Sequence, residues 1–298
     1  MDTNSRHILI AGGTGFLGSE LENYFSSKGN EVRILTRSPK RKNEIQWDAK
    51  NLGDWITEIE WADVLINLTG KSVNCRYTEE NKKLIMSSRV DSTAILCKAI
   101  QQADNPPKLW MNASSATFYV HAETRPMTED DGILGDDFSM NVCRRWEEEF
   151  FKCTLNHTRT VALRISLVLG RSGGALPMLR KITRLGMGGR QGSGEQYFSW
   201  ISLKDFNRAL EFIINHEEVV GPINLASPNP VKNAYLMKAL RKKMGVPFGI
   251  PQAKWMLEIG SRIIGTETEL ILKSRNVIPE RLLEKGFEFE DPNIEDAL

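Results

Sequence analysis

His7-Ile8-Leu9-Ile10-Ala11 is a short apolar run that stops at glycines, the pattern of a strand buried on both faces. Behind it Leu17, Leu21, Tyr24 and Phe25 recur at helical spacing between Phe16 and Ser27, and Gly29 supplies a stop. Glu31 to Thr36, rich in Val and Ile, reads as a second strand. Asp63 to Leu68, Lys108 to Ala113 and Thr160 to Leu169 are further buried runs, with helical patterns between them over Glu79 to Gln102 and Asp137 to Thr154. Strand and helix alternating at this rhythm predict an α/β fold with a doubly wound parallel sheet. After about residue 170 the texture changes to a glycine-rich stretch around a short helix, Leu176 to Arg184. A strand near Phe198 to Ile201, helices at Leu203 to His216 and Lys232 to Met244, and a helical tail follow. The expected division is a nucleotide-binding domain over 1–169 and a smaller α+β portion over 170–298.

Composition narrows the classes of function. With 298 residues, 41% apolar and 26% charged, the chain has the make-up of an ordinary globular protein. A net charge of +1 gives no field for nucleic acid or an anionic membrane, so neither is an expected partner. No run approaches the roughly 18–20 apolar residues of a spanning helix, and Met1 to His7 lacks a signal-peptide core. Cys75, Cys97, Cys143 and Cys153 form no CxxC pair and no His-rich cluster, which argues against a disulfide framework and against a metal site. A reduced, cytoplasmic protein is the resulting expectation.

Gly12-Gly13-Thr14-Gly15-Phe16-Leu17-Gly18 follows the first strand and opens the first helix. In this strand–turn–helix context it reads as the Rossmann dinucleotide fingerprint, the alternative being an ordinary glycine-rich turn: Gly12 for a tight turn, Gly15 for approach of a pyrophosphate, Gly18 for close helix–sheet packing. The anion would meet free N–H groups at the helix N-terminus. The second strand ends in Thr36-Arg37-Ser38-Pro39-Lys40-Arg41-Lys42, with no carboxylate to accept from a ribose 2′-hydroxyl. Arg37 and its basic neighbours suit a 2′-phosphate, which favours NADP(H) over NAD(H); the alternative is a solvated basic turn.

Further blocks carry a resemblance. Asn67-Leu68-Thr69-Gly70, Arg76-Tyr77-Thr78, Ser88-Arg89 with Thr93, the run Gly186 to Gln196 leading to Trp200-Ile201 and Asp205, and Asn224 with Pro228 to Pro230 occur in this order. Together they resemble the atypical short-chain dehydrogenase/reductase proteins called epimerase-like, of the bacterial YfcH type. The tail, with Val277-Ile278-Pro279-Glu280-Arg281-Leu282 and Gly286-Phe287-Glu288-Phe289, is similar to a small module of unknown function that accompanies that family, here at about 248–298. The resemblance implies an extended-type Rossmann fold with a substrate cleft between the two portions. It also implies cofactor contacts at Asn67, Leu68, Thr69, Gly70, Arg89 and Val168, beside those at Gly12, Thr14, Gly15, Phe16, Leu17, Gly18, Thr36 and Arg37. Arg89 has an alternative as a helix-surface residue.

Typical short-chain dehydrogenases use a Tyr-x-x-x-Lys pair on one helix and a Ser on the preceding strand. Ser115, or next Ser114, suits the Ser role. The helix from Asp137 offers instead Ser139 and Cys143, one turn apart on one face, a departure that the resembled family shares. A serine hydroxyl is a poor acid at neutral pH, and Cys is mostly uncharged there. Cys143 has an alternative as a packed apolar residue. Tyr119 is a fallback phenol or a core aromatic. His121 reads as exposed, Gln196 and Trp200 as substrate or packing residues, and Asp205 as a helix cap. Gly186 to Gly194 is either a mobile lid or a tight loop.

Two functions follow: an NADP-dependent oxidoreductase or epimerase acting on a small polar metabolite, or a non-catalytic NADP(H)-binding sensor that lacks the Tyr-Lys pair. The sheet-flanking helices leave room for a homodimer.

Overall fold

The computed structural model describes residues 5–265 and 267–298. In chain order its strands are β1 (His7–Ala11), β2 (Glu31–Thr36), β3 (Glu44–Gln46), β4 (Val64–Asn67), β5 (Leu109–Ser115), β6 (Arg159–Ile165), β7 (Leu167–Leu169), β8 (Tyr197–Phe198), β9 (Trp200–Ser202), β10 (Gly221–Leu225) and β11 (Val231–Lys232). Its α-helices are α1 (Phe16–Ser27), α2 (Thr57–Trp61), α3 (Glu79–Gln102), α4 (Phe138–Lys152), α5 (Leu176–Ile182), α6 (Leu203–Asn215), α7 (Asn233–Met244), α8 (Lys254–Ile264), α9 (Glu269–Leu272), α10 (Glu280–Glu284) and α11 (Ile294–Ala297).

Seven strands pair in the order β10-β6-β5-β4-β1-β2-β3, every neighbouring pair parallel. The expected doubly wound Rossmann sheet is therefore present. One face packs α1 and α6 over Ile8, Ile10, Ile34, Ile66 and Leu163; the other packs α3 and α4 over Leu9, Leu35, Leu65 and Trp110. Strands of such a sheet read as continuous apolar runs because both faces are covered.

Two boundaries differ from expectation. The run Thr160 to Leu169 breaks at Ser166, whose N–H and hydroxyl both go to the Leu225 carbonyl, and β7 leaves the sheet to pair with β9. The seventh strand, β10, lies beyond residue 169, so the sheet itself crosses the division expected there. Its Gly-Pro start reads as a turn in sequence, yet proline is tolerated on an edge strand, where no partner needs its missing N–H.

The cysteine expectation needs correction. Cys97 on α3 and Cys153, the residue that ends α4, form a disulfide. The two lie 56 residues apart, so no short spacing announces them. Packing of α3 against α4 brings their Cα atoms to 5.9 Å, within disulfide reach. Cys75 and Cys143 are free thiols, and no His/Cys/Asp/Glu cluster suited to a metal occurs among the described residues.

Candidate functional site

The sheet order reverses between β1 and β4, and ligands of open parallel sheets gather at that crevice, outside the carboxyl ends of the strands. The glycine loop after β1 lies there. Gly12 adopts φ +74°, and a Cβ on it would stand 2.9 Å from the Thr69 Cα, so the two strand ends press together through this glycine. Gly18 also depends on having no side chain, but the close neighbour is not the sheet. A Cβ there would meet the Gly13 carbonyl oxygen at 2.3 Å, so the glycine lets α1 start against its own loop. Gly15 faces open space, with nothing within 4 Å of its would-be Cβ, and Thr14 beside it is exposed. Phe16 packs against Gly170, Gly173 and Gly174, while half-buried Leu17 and buried Val168 join the core under α1.

At the end of β2, Thr36 is buried and its hydroxyl accepts from the Ser38 N–H. The Arg37 side chain is exposed and has no hydrogen bond or ion pair among the described residues. Arg41, by contrast, is occupied: Glu22 and Glu44 hold it. Only part of the basic run is therefore free to meet a phosphate.

On the other side of the crevice Asn67 is fully buried. Its amide donates to Asn112 (2.7 Å), and its carbonyl oxygen accepts from the Thr69 N–H (3.0 Å). The side chain thus shapes the turn over Leu68 to Gly70. The Thr69 hydroxyl is buried with no hydrogen-bond partner. Arg89 lies over Gly70, whose would-be Cβ is 3.0 Å from the Arg89 Cζ. Its guanidinium donates to the Lys71 and Ile85 carbonyls and sits 5.1 Å from the Trp146 ring centroid, with no carboxylate partner among the described residues. Burial lowers its pKa. Arg89 is not a simple surface residue.

Helix α4 begins at Asp137, which caps it by accepting from the Met140 N–H. Its first turns project Ser139 and Cys143 toward the crevice end of β5. The Ser139 hydroxyl donates to Glu269 and lies 3.5 Å from the Tyr77 hydroxyl. The Cys143 thiol is buried, and burial pushes its pKa up to about 12, against the smaller opposing pull of Arg89. It is a neutral thiol at any physiological pH. Burial likewise raises Tyr77 to about 12.

The serine candidates separate cleanly. Ser114 donates to Glu147 at 2.5 Å inside a buried network in which Glu147 grips Arg164 through both oxygens. Burial alone would lower the Arg164 pKa, but the Glu147 bonds outweigh it and the net shift is upward. Ser115 is half-buried, and its hydroxyl accepts only from the nearby Thr117 N–H. Tyr119 is fully buried; its hydroxyl accepts from Arg164 (2.7 Å) and donates to Asn224 (2.9 Å). The fallback phenol is a core residue, not a cleft residue.

Four further side chains reach this region: Tyr77, from the Arg76-Tyr77-Thr78 block, and Glu269, Lys273 and Arg275, which sequence reasoning missed. Three come from residues 267–276, more than a hundred positions from α4 in sequence. Other candidates turn out structural. Gln196 is buried and donates to the Gln191 carbonyl (2.9 Å), and the Trp200 indole N–H donates to the Asn229 carbonyl. Ser202 caps α6, while Asp205 accepts from the Glu290 and Asp291 N–H groups and ties down the tail. His121 is exposed, as expected, with Nδ1 accepting from the Ser274 N–H. Gly186 to Gly194 is a tight loop: Gly186, Gly192 and Gly194 take positive φ, and Gly192 and Arg190 pair with Gln252.

Sheet order, glycine loop and strand-end crevice define a dinucleotide-binding α/β protein of the extended short-chain dehydrogenase class. The chain belongs to the NAD dependent epimerase/dehydratase family, whose model matches residues 8–226. Residues 253–298 match a domain of unknown function, DUF1731, the small tail module expected from about 248. An epimerase family protein of Staphylococcus epidermidis is 33% identical over 98% of both chains. Among solved structures, human epimerase family protein SDR39U1 (isoform 2) with NADPH superposes with a TM-score of 0.86 at 29% identity, over 98% of this chain and 97% of that one. A nucleoside-diphosphate sugar epimerase from Corynebacterium glutamicum gives 0.81 at 28% identity, over 99% of this chain and 58% of that one. The protein is thus NAD(P)-binding and epimerase-like. No described helix is long and apolar enough to cross a membrane.

Proposed function

We propose that this protein binds NADP(H) in preference to NAD(H) and acts as an oxidoreductase or epimerase on a small polar metabolite. The observation that carries the preference is the exposed Arg37 guanidinium at the end of β2, without a partner among the described residues, where the sequence places no carboxylate. Three features fit the cofactor. Open space in front of Gly15 admits a pyrophosphate, the orphaned Thr69 hydroxyl offers a buried polar contact at the switch point, and the SDR39U1 structure holds NADPH. Gly12, Thr14, Gly15, Phe16, Leu17 and Gly18 would hold the diphosphate. Thr36 and Arg37 would hold the adenosine end, and the turn Asn67 to Gly70, Arg89 and Val168 the remainder. When bound, the nicotinamide supplies hydride chemistry. The chain's part is to orient the substrate, with Ser115 as the hydroxyl that polarises its oxygen.

A second reading, a non-catalytic NADP(H) sensor, draws support from two observations: Ser139 is committed to Glu269, and Cys143 is a buried neutral thiol. Neither can replace a Tyr-Lys pair. Turnover of carbonyl substrates that disappears in Ser115→Ala supports the enzyme; tight NADPH binding with no turnover over a broad screen supports the sensor. A cytoplasmic location belongs to the same proposal. Arg37→Ala is expected to weaken NADPH binding at least tenfold while leaving NADH binding within twofold. Equal losses for both, by fluorescence titration, refute the NADP assignment.

A further inference from the structure

Residues 267–276 run as a strap along the first half of α4. Nearly every polar side chain on it closes on a partner. Glu267 accepts from the Tyr77 N–H (2.8 Å) and from Arg76, and Glu269 accepts from Ser139. Lys273 pairs with Asp137 and with Glu269 (2.8 Å), and the Ser274 hydroxyl donates to the Ala122 carbonyl (2.5 Å).

Arg275 is different. Its backbone is pinned: the N–H donates to the Tyr197 carbonyl (2.9 Å), and the carbonyl accepts from the Ser199 hydroxyl (2.5 Å). Its guanidinium makes one long bond, 3.3 Å, to the adjacent Ser274 carbonyl, and no carboxylate comes within ion-pair reach among the described residues. Two residues on, Val277 packs in one cluster with Cys143, Ala116, Phe118 and Ala122, so the strap is fixed close to the first turns of α4.

Asp137 and Glu269 balance Lys273 and Arg275 in number, but both carboxylates are already taken up by Lys273. Glu147 and Arg164 cancel in their own buried pair. Arg89 then adds an uncompensated positive charge on the Gly70 side. The positive charges of both arginines act on the buried Cys143 thiol, opposing the burial that raises its pKa. A guanidinium drawn largely out of water without a carboxylate is costly, and its planar fork matches the oxygens of a carboxylate or phosphate.

We propose that Arg275, supplied by the C-terminal module, is the anchor for an oxyanion on the substrate, a carboxylate or a phosphate, held on the strap side of the cleft. The tail module thereby completes the site. The assignment rests on the cofactor reading above only for calling this side of the cleft the substrate side.

The test uses the full chain and calorimetric titration with inorganic phosphate, malonate and UDP, the three arms separating a bare phosphate, a carboxylate and a nucleotide diphosphate. Arg275→Met keeps the aliphatic stem and removes the charge; Arg275→Gln repeats the change with a polar side chain. At least one anion is expected to bind wild type and to lose tenfold or more in both variants, with the Tm unchanged or raised. An arginine kept for packing would instead lower the Tm and leave anion binding alone, which overturns the proposal. So does absence of heat with all three anions. NADPH titrated into the same preparations is expected to bind wild type and variants within twofold of one another. Failure of wild type to bind NADPH would remove the cofactor reading while the anion result stands by itself.

Discussion

Gly15→Ala and Gly18→Ala insert the same methyl group three residues apart, and the structure gives them opposite consequences. At Gly15 the backbone is extended, φ −85° and ψ −179°, a conformation alanine adopts freely, and the new Cβ touches nothing within 4 Å. Alanine lowers the entropy of the unfolded chain by about 0.4–1 kcal/mol where the backbone allows it, and gives back a similar amount because glycine is the better N-cap. The melting temperature should barely change. The methyl group does, however, occupy the space through which a pyrophosphate reaches the loop, so NADPH affinity should fall at least tenfold, about 1.4 kcal/mol. At Gly18 the new Cβ would lie 2.3 Å from the Gly13 oxygen and 2.4 Å from its Cα. These are backbone atoms with no rotamer to yield. Overpacking of this kind costs about 1–3 kcal/mol, a Tm loss of roughly 2–12 °C for a domain of this size. Circular-dichroism melts and NADPH fluorescence titrations on both variants decide the matter. Wild-type NADPH affinity in Gly15→Ala would refute passage of the diphosphate over this loop, whatever Gly18→Ala does.

Reduction is a second perturbation. The Cys97–Cys153 bond joins residues 56 apart, for which loop-closure entropy predicts about 4 kcal/mol of stabilisation. Reductant or Cys97→Ser should therefore lower the urea midpoint alike, and a midpoint indifferent to both would show that the bond does not form in solution. Raised pH is a third. Cys143 has a folded pKa pushed to about 12 against an ordinary 9.0, so the folded state keeps a proton that the unfolded state releases. Its contribution is fully present below about pH 9 and is lost as pH rises toward 12, at up to about 1.4 kcal/mol per unit. Tyr77 and Tyr119, also raised to about 12, add to the loss above about pH 10. Urea melts at pH 8 and pH 10 should show this fall, shallower in Cys143→Ala. In the native protein at pH 8, iodoacetamide should label half-exposed Cys75 and spare Cys143; rapid labelling of Cys143 contradicts the burial argument.

The sheet was legible because its strands announce themselves locally. β1, β2, α1 and α3 fall on the residues that periodicity marks, since strands buried on both faces are unbroken apolar runs and α1 ends where its apolar spacing stops. β10 was not legible: Gly221 and Pro222 imitate a turn, and only an edge position in the finished sheet excuses them. The glycine loop was legible because its function is carried by absent side chains, a local property. Yet the partner of Gly18 is Gly13, a contact that spacing cannot reveal. Glu269, Lys273 and Arg275 were invisible for a different reason. Each is an ordinary polar residue whose significance comes from tertiary closure of the strap over α4. Cys97 and Cys153 hid in the same way.

The hydroxyls around the cleft can be sorted by whether their bonds are already taken. Ser114 gives its proton to Glu147, Tyr119 to Asn224 and Ser139 to Glu269, so using any of them in chemistry would break a bond to a buried or half-buried acceptor. Such a break leaves the acceptor unsatisfied, at about 1–3 kcal/mol or more when it is charged. Tyr77 lies against the Ser139 hydroxyl, and burial with the nearby Glu269 charge holds its proton tightly. Ser115 alone among these combines partial exposure with a hydroxyl proton committed to no acceptor among the described residues, since its oxygen only accepts from Thr117. On the enzymatic reading proposed above, a reaction at this site would have a ready group to polarise a substrate oxygen and no ready group to protonate it. The guanidinium groups of Arg89 and Arg275, which have no carboxylate partner among the described residues, fit the same kind of chemistry. On that reading they would stabilise negative charge as it develops without transferring a proton, which would leave protonation to solvent or to the substrate itself.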